Sequence, residues 1–208
     1  MDSFPHAGSP SVRRNRGPIL EVLRRHLPAH GAVLEIASGT GEHVIFFAAA
    51  LPQLVFQPSD PDPAARAGIA ARVTDASLAN LRSPLALDAR LPDWNLPRDV
   101  ADSLVAVICI NMVHIAPWAA TLGLMQGAAG RLPDGGLLYL YGAYRRDGRH
   151  TAPSNEVFDR SLRARNPDWG VRALEDVRAA AQREGFALGE LVEMPANNLS
   201  VVLRRNPR

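Results

Sequence analysis

The chain has 208 residues, 47% of them hydrophobic, with 23 basic and 21 acidic side chains and a net charge of +2. This length and composition suit one globular core, and a balance so near neutrality gives no ground for expecting a nucleic-acid partner. Every basic residue is Arg, which excludes a lysine Schiff base, a pyridoxal linkage and a phosphate loop ending in Lys. Cys109 is the sole cysteine, which excludes an internal disulfide or a thiolate zinc cluster and fits a reducing, cytoplasmic setting.

The opening stretch "MDSFPHAGSPSVRRNRGP" has Pro, Gly, Ser and Arg where a secretion signal needs an apolar segment. Residues 1–9 are expected to be flexible and residues 10–208 to form a single domain. Ile19, Leu20, Leu23 and Leu27 then recur at helical spacing with Arg on the opposite face, which predicts a lead helix. From Ala32, strand-length apolar runs alternate with helical patterns: "AVLEIA", a helix in "EHVIFFAAAL", "LVFQPS", a helix in "PAARAGIAARVTDA", "SPLALD" and "SLVAVICIN". Such alternation specifies parallel βαβ units, and apolar runs without a period of two fit strands covered on both faces. The apolar stretch Ser103–Met125 is long enough to resemble a membrane span, but Asn111, His114 and Pro117 interrupt it. It reads as strand, loop and a helix near residues 117–131, and no membrane partner is expected. "LLYLYGAY" predicts a fifth strand, residues 154–165 a helix and "LEDVRAAAQREG" another, and "FALGELVEM" and "LSVVLRR" form a hairpin about the turn "PANN".

The stretch "LEIASGTGEH", Leu34–His43, joins the first strand to the first helix of this alternation. It therefore lies at the carboxyl edge of the sheet, where ligands bind in open α/β folds. Gly39 and Gly41 allow the main chain to approach a ligand where a Cβ would collide. A dinucleotide loop has a third glycine three residues further on, and that position is Val44, so a pyrophosphate is poorly served. S-adenosylmethionine has no phosphate, and its cationic methionyl end gives Glu35 a purpose; the competing reading of Glu35 is a cap on loop amides. Asp60 ends the second strand about twenty residues past the glycines, the distance at which an acid reaches ribose hydroxyls. Asp62 competes for that role or caps the next helix ahead of Pro63. Asp88 ends the third strand and is either an acceptor for the adenine amino group or a plain turn residue.

With these residues in place, the sequence resembles the class I S-adenosylmethionine-dependent methyltransferases, "LEIASGTGEH" matching their first motif and "QPSD" their second. "NRGPIL", "NMVHIAPW", "SNEVFDRSLRARNPDWGVR" and "MPANNLSVVLRR" extend the resemblance, from about Ser11 to near the end, to the small family that includes methyltransferase-like protein 26. The resemblance implies an α/β, Rossmann-like fold with a seven-stranded, mostly parallel sheet, helices on both faces and a reversed C-terminal hairpin. It also implies S-adenosyl-L-methionine as cofactor and leaves the substrate undefined. Ala37 stands where the wider superfamily usually has the loop's first glycine, and it is small enough for binding to survive.

Methyl transfer is an in-line displacement, so the enzyme mainly aligns the partners and removes a proton where there is one. "NMVHIAPW" follows the fourth strand beside the first. Asn111 is a candidate to hold the methionyl group, and His114 is a candidate general base or a residue fixing the loop. Asn15 and Arg16 are candidates on a lead helix folded over the pocket, against plain solvation of an Arg-rich face. Tyr144, Asn155 and Asp159 lie in a long connection after strand five that reads as a lid or substrate wall, as polar groups to orient a small substrate, with Tyr144 a second candidate catalytic residue beside His114. Met112 and Trp118 read as core, and Asn197 and Asn198 as turn residues. A small-molecule methyltransferase is expected. The alternatives are a non-catalytic cofactor-binding or interaction protein on the same fold, or an RNA or protein methyltransferase using the Arg-rich lead helix and the loop Arg145–Arg149. No metal site is expected, and the oligomeric state is left undetermined.

Overall fold

Strands that are apolar on both faces need helices on both faces, and the computed structural model, which describes residues 9–207, has that arrangement. In chain order, α1 (Pro10–His26) leads into β1 (Gly31–Ile36), α2 (Glu42–Ala50), β2 (Leu54–Asp60), α3 (Pro63–Ala76) and β3 (Leu85–Ala86). A short α4 (Arg98–Asp102) precedes β4 (Leu104–Ile110), α5 (Trp118–Arg131) and β5 (Leu137–Gly142). A small hairpin, β6 (Arg145–Arg146) and β7 (Arg149–His150), is followed by α6 (Pro153–Arg165), α7 (Leu174–Arg183), β8 (Phe186–Met194) and β9 (Asn198–Arg205). Residues 1–8, expected to be flexible, lie outside the described residues. Ser9 belongs to the folded part: its N–H donates to Glu42 Oε2 at 3.0 Å.

The main sheet has seven strands in the order β3-β2-β1-β4-β5-β9-β8. β1 to β5 pair in parallel, and β9 runs antiparallel to both β5 and β8. This is the sheet the resemblance implied. Alternate residues enter two cores. Leu34, Val107, Cys109, Leu138 and Leu140 pack with α5 and α7, whereas Val33, Ala106, Ile108 and Tyr139 pack with α1 and α2. Val44, at the position where a dinucleotide loop needs glycine, is fully buried in the second core. Strand order reverses between β1 and β4, which opens a cleft at their carboxyl ends.

Three local differences from the sequence reading have identifiable causes. "SPLALD" yields only a two-residue strand at Leu85–Ala86, because it is an edge and Pro84 supplies no N–H. α4 has five residues, too few to show a helical period. The expected loop "RRDGRH" is a hairpin whose turn residues Asp147 and Gly148 have φ of 49° and 73°, the conformation that Asp-Gly turns favour. Among the described residues no helix is long and apolar enough to cross a membrane.

Helix α5 lies tight on the segment after β3: a Cβ at Gly123 would sit 2.0 Å from the Ala89 carbonyl oxygen, and one at Gly127 2.2 Å from the Trp94 ring. A Cβ at Gly130, on the same helix, would meet nothing within 4 Å. Gly123→Ala is therefore expected to cost about 1–3 kcal/mol by overpacking against backbone. Gly130→Ala is expected to gain up to about 1 kcal/mol from helix propensity. Urea unfolding of the two variants reads both signs.

Candidate functional site

The segment after β1 is bent open by alternation of backbone handedness. Ala37, Gly39 and Gly41 have φ of 55°, 57° and 74°, the left-handed region that favours glycine. The two glycines differ in what the absence of a side chain achieves. A Cβ at Gly39 would meet nothing within 4 Å, so the main chain there borders open space. A Cβ at Gly41 would come within 3.2 Å of Ile69, so this glycine lets α2 start close against α3. Ala37 holds the same handedness with a methyl group attached.

Fastenings to β2 hold the bend. Pro58 is paired with Glu35 and supplies no N–H; beside it Ser59 Oγ donates to the Glu35 carbonyl at 2.7 Å. The Ser38 N–H donates to the Ser59 carbonyl at 2.8 Å, and the Ser59 N–H to Ser38 Oγ at 3.2 Å. Asp60 receives the Gly39 N–H on Oδ2 and the Asp62 N–H on Oδ1, each at 2.9 Å. Asp62 caps α3, accepting from the Ala64 N–H at 2.9 Å, and so takes the capping alternative.

Glu35 ends up 3% exposed, and its Oε2 has no hydrogen-bond partner. Burial, opposed by the Ser38 hydrogen bond and reinforced by the nearby Asp60 charge, pushes its pKa up to about 8. An acid left in this condition is suited to a buried cation.

A cavity of about 240 Å³ adjoins the loop. Ile36, Leu87, Met112 and Ile115 give it apolar walls, and Asp88 lies on its lining. The Asp88 carboxylate takes two 3.0 Å bonds from Arg90 Nε, which hold its pKa below the ordinary value. Asn111 follows β4 in a left-handed conformation, φ 64°, and its N–H donates to the Tyr141 carbonyl at 2.8 Å.

The lead helix reaches the start of α2. Asn15, 7% exposed, shares a 2.8 Å hydrogen bond with His43 Nε2, and the Arg16 guanidinium lies 4.6 Å from the Phe46 ring centroid. Burial, with the Arg16 charge adding, lowers the His43 pKa to about 4.

The two candidate catalytic residues, His114 and Tyr144, lie elsewhere. His114 and Tyr144 are each 0% exposed and stack edge to face, 5.1 Å between ring centroids. The His114 ring rests on the Gly142 backbone, where a Cβ would meet Nε2 at 2.0 Å. Burial lowers the His114 pKa to about 3, with Arg172 contributing, and burial raises that of Tyr144. Both rings are enclosed and neither lines the cavity; the tight turn Met112–His114 carries the His114 ring beneath Gly142. Cys109, pushed up to about 12 by burial, is an inert core thiol.

In the connection after β5, Asn155 Nδ2 donates to Thr151 Oγ1 and the Asn197 carbonyl, each at 2.9 Å, while Asp159 Oδ1 accepts the Val171 N–H at 2.7 Å. Both side chains fasten the segment against its neighbours. Met112 is core as expected; it also lines the cavity, as does Trp169, which sequence reasoning did not single out.

The fold is that of the class I methyltransferases. It is similar to the S-adenosylmethionine-dependent methyltransferase SibL (TM-score 0.75, 19% identity, 95% of this chain and 56% of that one). It is also similar to the mitomycin 7-O-methyltransferase MmcR (0.76, 14%, 95% and 55%) and to PigF solved with SAH (0.74, 14%, 91% and 55%). The chain spans little more than half the length of these structures. It belongs to the family described as "Protein of unknown function (DUF938)", whose model matches residues 6–205.

The pKa of Glu35 sets a pH dependence. The unfolded carboxyl ionises near 4.5 and the folded one near 8, so between those values the folded state binds the extra proton and stability falls as pH rises. Glu35→Gln lacks this loss. Its stability relative to the native chain is expected to grow from pH 5 to pH 8, by at most about 1.4 kcal/mol per unit, and to level off above. Urea unfolding across that range measures it.

Proposed function

We propose that the protein is an S-adenosyl-L-methionine-dependent methyltransferase acting on a small molecule. The observation that carries this reading is the buried, partnerless Glu35 Oε2 beneath a main-chain loop that borders open space at Gly39. A carboxylate there meets the ammonium of the methionyl group. Asp60 takes the ribose hydroxyls on the lone pairs left by the Gly39 and Asp62 amides. The apolar cavity receives the adenine, with Asp88 toward its amino group. Asn111 holds the methionyl end, and Ala37 and Gly41 shape the loop. Asn15 and Arg16, through His43 and Phe46, set α1 against the start of α2. The kinship with the family that includes methyltransferase-like protein 26, read from the sequence motifs, is part of the same proposal.

When bound, the cofactor supplies an electrophilic methyl group on a sulfonium. The chain's task is to align an acceptor with it and exclude water, work that positioning accomplishes without a dedicated base. Burial of His114 and Tyr144 favours a second reading, a cofactor-binding protein without turnover. An acceptor panel separates the two, since product formation supports the first. The RNA alternative has less support: Arg146 is paired with Glu193 at 2.8 Å, and Arg16 is stacked on Phe46. A cytoplasmic setting remains an expectation from the single buried cysteine.

Calorimetry tests the assignment. S-adenosylmethionine and S-adenosylhomocysteine are expected to bind and NAD(P) not to. Gly39→Ala, which places a methyl in the open space, is expected to weaken both ligands strongly. Because Glu35 holds a proton at pH 7 and an ammonium favours its ionised form, binding should release close to one proton. At pH 7, where the ligand's amine is already an ammonium, this appears as heats that vary with the ionisation enthalpy of the buffer. Saturable NAD binding with no response to S-adenosylhomocysteine overturns the reading.

A further inference from the structure

We propose that Trp169 forms an aromatic wall of the base subsite and that Arg172 is the positioning residue that keeps it there. The inference rests on reading the cavity as the nucleoside site, and it assigns a part of that site to the C-terminal half of the chain. Every other residue lining the cavity lies between Ile36 and Ala120, at the end of β1, in the segments after β1, β2, β3 and β4 or at the start of α5. Trp169 arrives from the connection between α6 and α7.

The backbone on both sides of Trp169 is fastened. Before it, Asn166 accepts the Asp168 N–H on Oδ1 at 2.9 Å and the Trp169 N–H on its carbonyl at 3.0 Å. After it, the Gly170 N–H donates to the His114 carbonyl at 2.9 Å and the Val171 N–H to Asp159 Oδ1 at 2.7 Å. Gly170 has φ 149°, and a Cβ there would lie 2.7 Å from Asp159 Oδ1, so only glycine lets the chain pass so close.

Arg172 then ties this connection to the loop after β4. Its Nε donates to the Val113 carbonyl at 3.2 Å, and its Nη2 to the carbonyls of Ala116 at 2.8 Å and Asp168 at 2.6 Å. Its guanidinium also lies 5.8 Å from the Trp118 ring centroid. The carbonyls of Val113 and Ala116 belong to the segment that carries Ile115, itself a wall of the cavity. One planar cation thus sets the separation between two walls.

The Trp169 ring is partly buried against Leu162 and Val171, with the Arg165 guanidinium 5.6 Å from its centroid. A tryptophan with a fixed backbone, packed on a small apolar cluster and lining a cavity, is placed to offer the ring face opposite Arg165 to a planar ligand. The buried members of that cluster, Ala143, Leu162 and Val171, are aliphatic. The ligand class that profits is a purine base.

Calorimetry on the full chain with two probes, S-adenosylhomocysteine and adenosine, tests this. Trp169→Phe, which retains a π face, is expected to bind both nearly as the native chain does. Trp169→Leu, which retains apolar bulk alone, and Trp169→Ala are expected to weaken both about tenfold, the order of one base–aromatic contact. The ligand-induced change in tryptophan emission should disappear in Trp169→Phe although Trp94 and Trp118 remain. Arg172→Ala should weaken adenosine, and the double variant with Trp169→Leu should lose less than the sum of the two single losses, since Arg172 acts in part through that ring; full additivity overturns its part in placing the ring. Native affinity in Trp169→Leu, or the full emission change in Trp169→Phe, overturns the stacking role while leaving the methyltransferase reading intact. Failure of the native chain to bind either probe removes both.

Discussion

The site depends on one carboxylate that joins two strand ends. Asp60 receives the Gly39 and Asp62 amides on its two oxygens, so the loop after β1 and the turn after β2 share a single anchor. An anion that satisfies two main-chain donors in a nearly buried place contributes more than a neutral acceptor would. It also fixes how far the first loop stands from the second strand, and hence the width of the cleft between them. The serine pair Ser38 and Ser59 supports the same joint where Pro58 supplies no donor.

Around this joint the charges are arranged unevenly. Glu35 lies deep and without a partner on one oxygen, Asp60 is occupied by amides, and Asp88 is neutralised by Arg90. Three acids near one cleft would repel one another if all were ionised and bare. Here two are compensated, and the third is held largely as the neutral acid at neutral pH by burial. The uncompensated capacity is therefore concentrated at one position, Glu35, while the cavity beside the loop has mainly apolar walls.

Much of this was legible in the sequence because the governing signals are local. Apolar runs without a period of two specified a covered parallel sheet, "GTG" after the first run placed the loop, and the spacing to Asp60 placed its partner. Val44 argued against a pyrophosphate from a single position, and its complete burial shows why the helix start is bulky there. What escaped the sequence was contact between distant segments. Gly41 serves the approach of α2 to Ile69, which spacing within the loop does not reveal. His114 is drawn under Gly142 by a short turn whose direction no periodicity encodes. Trp169 reaches the cavity through bonds from Arg172 to Val113 and Ala116, more than fifty residues away in sequence. Asp147–Gly148 is a turn signal, but the two-residue strands on either side of it are too short to show a strand pattern.

Ala37 acts on the unfolded chain as well as on the folded one. A glycine at φ 55° would reach that shape at no steric cost, but when unfolded it would also wander over far more of conformational space. Alanine sacrifices some comfort in the folded state and narrows that wandering. The bend at the head of the cleft is thus stiffer than one built wholly from glycines, and an incoming molecule has less disorder to suppress there, so more of its contact energy survives as affinity.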